Sequence, residues 1–530
     1  MNKIKNYTYV LGLALVALTT SCEDQSEEVT TLAHDHLFAP FGLEAKISNT
    51  VNARLSWKLN EEASSYSIEV FANDSLTCQG TPIRTYNDLT ADDMPLDIKG
   101  LEGDTKYTAR LMAKGENLKD SKWNSIYFRT DVEQLMAKIT DDDLTATSAT
   151  ITWETGRAAT EIIITPGDIK HTITAEEIAA CKATVSGLSG NTSYSAKLVN
   201  GEKNCGTRTF ITLIDPSTAI VVSPSGKTLQ AAIDEATAEK SLILVQAGTY
   251  DIDEVTIPQE VSIIGERSTN RPILKGKISM TAGGLEMRNI IMDGNNSAVK
   301  RAFTFDASEV TYKALKFENC EFKGYKEGLY SMSSGIKSSI ESITINNCLI
   351  HDIACDGGDL MDIRETGVLK SLTFSNNTVY NTSSVKNREL IRQDKSSDYF
   401  PEITSLSISV TNNTIVGSDK KGFKRVIYIR YKGSKVTFKN NLVVNFSGYF
   451  NDQKAIDEKD IAFSNNSYYD AKNAGIIQIK EGDANVVVTA DPNCVGSKFL
   501  DPKFKDAAKG DFTITNEDLK INKVGDPRWL

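Results

Sequence analysis

Asparagine returns along the second half of this chain at a near-constant interval, and no other feature limits its fold so tightly. Arg288-Asn289-Ile290, Glu318-Asn319-Cys320, Asn346-Asn347-Cys348, Asn376-Asn377-Thr378, Asn412-Asn413-Thr414, Asn440-Asn441-Leu442 and Asn465-Asn466-Ser467 align on their central asparagines. Successive spacings are 30, 28, 30, 36, 28 and 25 residues. A period of about 20 to 50 residues signals stacked repeats. Each coil is then a loop of short strands, and each corner returns one strand spacing, about 4.8 Å, above its predecessor. Asparagine suits such a corner because it tolerates left-handed backbone angles and its amide can bond the amide above. Phe317, Phe322, Ile345, Phe374, Ile408, Phe438 and Phe463 flank the corners and are expected to fill the interior.

The start of the repeat has its own pattern. Thr228 is a plausible cap for an amphipathic helix running through Leu229-Gln230-Ala231-Ala232-Ile233-Asp234. Leu242-Ile243-Leu244-Val245, Ala247-Gly248-Thr249-Tyr250 and Val261-Ser262-Ile263-Ile264-Gly265 follow. This order resembles the entrance of pectin-lyase-like right-handed parallel β-helices, where a polar-faced helix covers the open end of the coil. Asp501-Pro502-Lys503-Phe504 with Gly510-Asp511-Phe512 resembles the closing segment of many such proteins. The resemblance implies a β-helix over residues 214–530.

Residues 39–213 read instead as short alternating strands separated by turns, the pattern of antiparallel sandwiches. Leu101-Glu102-Gly103-Asp104-Thr105-Lys106-Tyr107 recurs as Leu188-Ser189-Gly190-Asn191-Thr192-Ser193-Tyr194, and each copy follows a strand tryptophan, Trp57 or Trp153. The duplication resembles tandem fibronectin type III domains, over 39–131 and 132–213, in which the tryptophan fills the core and the tyrosine pins a loop. The expected fold class is therefore all-β, a parallel β-helix behind two sandwiches that act as spacers.

Residues 1–21 read as a secretion signal. Lys3 and Lys5 precede the apolar run Val10 to Leu18, which is too short to span a bilayer. Leu18-Thr19-Thr20-Ser21-Cys22 resembles a bacterial lipobox, which implies lipid attachment at Cys22 and a flexible tether over 22–38. Glu23, Asp24, Glu27 and Glu28 resemble the signal that sends lipoproteins to the outer face of the outer membrane in glycan-degrading bacteria. The net charge of −11 argues against a nucleic-acid partner. Cys78, Cys181, Cys205, Cys320, Cys348, Cys355 and Cys494 are odd in number and irregular in spacing, so buried thiols are the default. A Cys181–Cys205 bridge remains open in an oxidising compartment.

Chemistry is sought where the repeat carries charge. Asp362-Ile363-Arg364, Leu390-Ile391-Arg392 and Tyr428-Ile429-Arg430 recur between asparagine corners. With the isoleucines inward, alternation puts Arg364, Arg392 and Arg430 outward on one face. Guanidiniums stacked about 4.8 Å apart repel by roughly 1 kcal/mol in water and about 3.5 at intermediate dielectric, so a negative partner is expected. Across 387–433 nine Lys or Arg face five Asp or Glu, which leaves room for an external anion. Arginine matches carboxylates bidentately, so an acidic polysaccharide is the natural guest, with Tyr428, Tyr431, Tyr325 and Tyr330 as further contacts. The competing reading pairs the arginines with Asp362, Glu365, Glu389 and Asp394 as surface decoration.

An acidic stretch lies beside the ladder, and Asp356, Asp359 and Asp362 are candidate calcium ligands; calcium is the one candidate cofactor. β-Helix polysaccharide lyases abstract the proton α to a uronate carboxylate, commonly with Lys or Arg as base. Resemblance to them implies Arg392 or Lys395 as base and Arg364 or Arg430 as clamp. The polygalacturonase pattern is missing, because His351 is the only histidine of the repeat. Three classes thus compete: a surface protein binding uronate-containing polysaccharide beside glycan-import proteins, a calcium-assisted lyase, and a structural or adhesive protein. Lack of a compact catalytic motif favours binding over cleavage.

Overall fold

The structure is a computed structural model that describes residues 35–201, 203–417, 422–456, 458–495 and 499–530. The signal, Cys22 and most of the tether lie outside the described residues. At its described end the expected tether is already paired: Leu37 is buried and its N–H donates to the Lys119 carbonyl. The chain divides into two compact units. One takes the chain up to Ala45 with Arg54–Ile98 and Thr105–Arg129; the other takes Lys46–Ala53, Lys99–Asp104 and Thr130–Leu530.

The first sandwich sequence forms a three-stranded sheet of Glu44–Ser48, Asn52–Ser56 and Leu96–Ile98. Its four-stranded sheet runs in the order Arg84–Leu89, Ser65–Ala72, Lys106–Lys114, Asn124–Arg129. The second repeats the four-stranded order with Ile169–Thr172, Glu161–Thr165, Ser193–Asn200 and Lys203–Ile211, opposite the pair Ser148–Thr152 and Lys182–Ser186. Neighbours in both four-stranded sheets are antiparallel. This is the fibronectin type III arrangement. Trp57 and Trp153 are buried in the cores, and the Tyr194 hydroxyl accepts the Ser189 N–H at 2.9 Å, pinning the turn of the repeated motif. All seven described cysteines are free thiols, six of them buried, and Cys181 and Cys205 are not bridged.

From Ile220 on, the chain coils as a right-handed parallel β-helix, the hand that parallel crossovers take. Thr228 caps the helix Leu229–Glu235 through the Ala231 N–H, as the sequence predicts, and buries Leu229, Ala232 and Ile233. Ten short strands, from Ile220–Val222 to Ile461–Ser464, stack in one wall. A fourteen-strand sheet makes two further walls, joined where Ile273–Met280 pairs with both Ile291–Asp293 and Arg301–Phe305. Gly276, at φ +139, allows a bulge there: a Cβ would lie 2.5 Å from the Asp253 carbonyl oxygen. Phe317, Phe322, Ile345, Phe374, Ile408 and Phe438 fill the interior; Phe463, near the end, is only half-buried.

The corner asparagines form two ladders, and their alignment differs from the expected one by a residue. Asn289, Asn319, Asn347, Asn376, Asn412, Asn440 and Asn465 take positive φ between 51° and 58°. Their amides bond in two runs, Asn289 to Asn347 and Asn412 to Asn465, as from Asn440 Nδ2 to Asn412 Oδ1 and from Asn465 Nδ2 to Asn440 Oδ1, both 2.8 Å, while Asn376 Nδ2 donates to Asn346 Oδ1. One position on, Asn377, Asn413, Asn441 and Asn466 point inward. Each accepts the backbone N–H of the coil below and donates to a strand carbonyl. Buried Asp491 closes this inner ladder, accepting from Asn466 Nδ2 and the Tyr468 hydroxyl at 2.8 Å each. The doubled asparagines thus divide the labour: one turns the corner and the other satisfies backbone groups that burial would otherwise leave unpaired.

Candidate functional site

The wall that carries the expected arginines runs through Thr249–Ile257, Ile273–Met280, Arg301–Phe305, Gly328–Met332, Met361–Ile363, Glu389–Gln393 and Arg425–Ile429. Alternation was legible in the sequence: Ile363, Ile391 and Ile429 all point inward and are buried. The register was not. Met361, Ile391 and Ile427 share one inward row, and Ile363, Gln393 and Ile429 the other. The outward row between them is Thr256, Ser279, Thr304, Ser331, Asp362, Arg392 and Tyr428.

The expected guanidinium ladder is therefore absent. Arg392 stands two residues out of step with Arg364 and Arg430, and the pairing brings Asp394 between those two. A shift of two keeps every side chain on its face, so alternation could not detect it.

What the wall holds instead is an ion-pair network. Arg392 donates to Asp394 through Nε at 3.0 Å and Nη2 at 2.9 Å, and to Asp359 Oδ2 at 3.2 Å. Arg364 reaches Asp359 at 3.3 Å and Asp362 at 2.7 Å. Arg301, buried, lies 3.3 Å from Asp362 and 3.5 Å from Glu327. Arg425 joins Glu389 to Asp452, the latter at 2.6 Å. Six carboxylates thus meet four guanidiniums, and the bland reading of paired charges holds for Arg364 and Arg392. Arg430 is exposed and has no ion-pair partner among the described residues. Arg301, Glu327, Arg425 and Asp452 were missed because their partners lie 26 to 61 residues away along the chain.

Two other expectations are corrected. Asp359 and Asp362 are buried against arginines, while Asp356 points to Lys386 at 3.0 Å; no calcium cage of acidic groups forms among the described residues. Gly358 serves a different purpose: a Cβ there would lie 1.9 Å from Arg301 Nη2, so the glycine makes room for that guanidinium. A base role for Arg392 fails as well. Burial alone would favour its neutral form, but Asp394 and Asp359 outweigh this and hold it protonated. Lys395 is exposed and paired with Asp398 at 2.9 Å. Tyr325, Tyr330 and Tyr431 are buried in the coil and present nothing to a ligand. Tyr428 faces outward, half-buried, its ring flanked by the guanidinium carbons of Arg392 at 5.0 Å and Arg425 at 4.8 Å.

Electrostatics follow from this packing. Burial raises the Glu389 carboxyl to about 7, with Arg425 opposing, and raises Asp362 against the pull of Arg364 and Arg301. The Glu389 Oε2 atom has no hydrogen-bond partner.

Toward the start of the wall the network opens into a groove of about 670 Å³ lined by Thr304, Ser331, Lys275, Asp251 and Asp253 among others. Lys277 pairs there with Glu254 at 3.0 Å and Lys300 with Glu327 at 3.3 Å. Toward its end the bridges Arg425–Tyr449 and Asn451–Ile477 extend the wall by two rungs, beside a second cavity of about 530 Å³.

Fold and wall together define a class: an all-β chain in which two fibronectin type III-like sandwiches precede a parallel β-helix with one strongly polar wall. Residues 248–382 match a family described as a domain of unknown function, DUF4957, and residues 408–529 match another, DUF5123. No curated protein matches this chain. Among solved structures it is similar to a two-domain fibronectin type III segment of chicken tenascin, 18% identical, covering 32% of this chain and 97% of that one, with a TM-score of 0.24. It is also similar to the central fibronectin III array of RIM-binding protein, 17% identical, covering 35% and 65%, with a TM-score of 0.14. Scores of that size add nothing to the sheet topology itself.

Proposed function

We propose that this protein is a non-catalytic, surface-anchored glycan-binding protein whose β-helix wall carries a polysaccharide chain, including acidic ones. The outward row supports this reading. Thr256, Ser279, Thr304, Ser331, Asp362, Arg392 and Tyr428 repeat once per coil, about every 4.8 Å and over about 29 Å in all. The row's half-buried members Thr256, Thr304, Arg392 and Tyr428 turn hydroxyl and guanidinium groups toward a linear polymer of hydroxyl-bearing rings, and the groove gives its early part depth. Tyr428, half-buried beside the guanidiniums of Arg392 and Arg425, adds an aromatic edge and a hydroxyl to this row. The sequence signals at Cys22 support anchorage in the outer membrane, a role for the sandwiches as spacers, and import proteins as neighbours.

Affinity gel electrophoresis in polygalacturonate, alginate, chondroitin and neutral glucan or mannan tests the reading. At least one polymer retards the protein, and Tyr428→Ala restores mobility by half or more, a loss of about 1 kcal/mol. Mobility unchanged in every gel would sink it. Ultraviolet absorbance at the same concentrations stays flat, since Arg392 is held protonated and Lys395 is paired with Asp398, so neither expected base forms unsaturated ends.

A further inference from the structure

Apart from Arg430, the arginines of the wall are paired internally, yet the lysines of the cavity at its far end are not. Its one carboxylate, Asp452, accepts from Arg425 Nη2 at 2.6 Å and from the Gln453 amide. Arg425 in turn holds Glu389. Lys424 and Lys480 also line the cavity, both exposed, and neither has an ion-pair partner among the described residues. The side-chain amides of Asn387, Gln478 and Asn485 line it without a described partner, beside Ser447 and Tyr449.

Backbone pairing brings these residues together from distant stretches of chain. The Lys424 carbonyl accepts the Tyr449 N–H at 3.1 Å, its own N–H donates to Arg388, and the Gln478 N–H donates to Asn451 at 3.1 Å. The lysines therefore stand on a hydrogen-bonded scaffold. Every lining charge still available is positive, and the remaining polar side chains, the amides with the hydroxyls of Ser447 and Tyr449, can all donate. A volume of about 530 Å³ falls within the usual range for small-molecule sites, about 300 to 1,000 Å³.

We infer that this cavity is an anion subsite for an acidic sugar, the carboxylate seated between Lys424 and Lys480 and the hydroxyls on the three amides. The opposite end of the wall is a contrast: in its groove Asp251, Asp253 and Lys275 are the charged groups without an ion-pair partner among the described residues, so the balance there is acidic. The wall thus has a polarity, with the acidic unit of a glycan read at the end formed by Asn387, Lys424 and Lys480. The identity of the polymer rests on the glycan-binding reading; the anion subsite does not.

The test uses monomers on the full mature chain. Saturation-transfer NMR with galacturonate and with galactose separates charge from ring. Galacturonate gains signal, galactose gains little, and Lys424→Ala with Lys480→Ala weakens galacturonate binding roughly tenfold or more. Lys424→Arg retains binding, and unchanged thermal unfolding of the exposed-lysine variants excludes a folding defect. Absence of galacturonate signal in the unaltered protein, or equal signal in the double variant, overturns the inference. Retardation by neutral polymers that is abolished by Tyr428→Ala would, in that event, leave the glycan-binding reading standing. The reverse, galacturonate bound but no polymer retarded, would remove that reading and keep the subsite.

Discussion

Asn440 shows how much a single residue carries here. It turns a corner at φ 55°, donates to Asn412, accepts from Asn465, and its carbonyl accepts the Gly525 N–H at 2.8 Å. Alanine would lose the amide bonds and strain the backbone, costing about 1–3 kcal/mol in chemical denaturation. Glycine keeps the angle freely, so Asn440→Gly should cost measurably less. Equal losses would mean that the amide ladder, not the backbone angle, sets the stability of the corner. Glu389 gives a pH signature. Its folded pKa is raised to about 7 from 4.5, so the folded protein binds the extra proton. Stability is then full below about 4.5 and falls as pH rises toward 7. Glu389→Gln should flatten that fall by on the order of 1–3 kcal/mol between pH 4.5 and 7.5. His351 works in the same direction: burial lowers its pKa, but Glu321 and Asp352 outweigh this and raise it, so its contribution is present at low pH and lost as pH rises. It persists in the Gln variant, and the difference between proteins isolates Glu389.

At the scale of elements, the closing segment is more than an end. Ile514, Leu519 and Val524 are buried against Leu442 and Val444 of the coil. Asp526 accepts the Thr378 hydroxyl at 2.7 Å, and the Trp529 ring N–H donates to the same oxygen. The segment therefore covers one flank of the solenoid. Removal of residues 501–530 should cost on the order of 5 kcal/mol from those three aliphatic side chains alone. A lower unfolding midpoint and binding of a hydrophobic dye are the expected readouts. An unchanged midpoint would show that the stacked coils hold without this cover. The sequence announced the segment by its Asp-Pro and Gly-Asp-Phe motifs, but only the packing says what it covers.

For the molecule as a whole, the second sandwich and the β-helix belong to one compact unit, and Asp141 ties them. Its carbonyl accepts from Arg267 Nη1 at 3.0 Å, and its carboxylate accepts the backbone N–H groups of Ser268 and Thr269. Ile214, Ala219, Leu244 and Ile264 pack nearby as a small apolar cluster. Asp141→Ala should weaken the joint by about 1 kcal/mol, leaving the half-buried Ser268 N–H and the Thr269 N–H without this acceptor. In calorimetry the second sandwich would then melt apart from the solenoid; a single unaltered transition would refute the tie.

The sequence by itself determined what repeats. Asparagine tolerates left-handed corners, and alternate apolar residues must leave water, so both the coil period and the inward face of each strand are written locally. Two tryptophan and tyrosine signatures did the same for the sandwiches. Only the tertiary structure decided the register between coils, because a slip of two residues preserves every inward and outward side chain. That slip put Asp362 and Tyr428, not Arg364 and Arg430, above and below Arg392. Pairing between coils likewise gathered Arg301, Arg425 and Glu389 into one network. Long-range hydrogen bonding thus turned an expected column of positive charge into a neutralised wall, and left the free cations at its end.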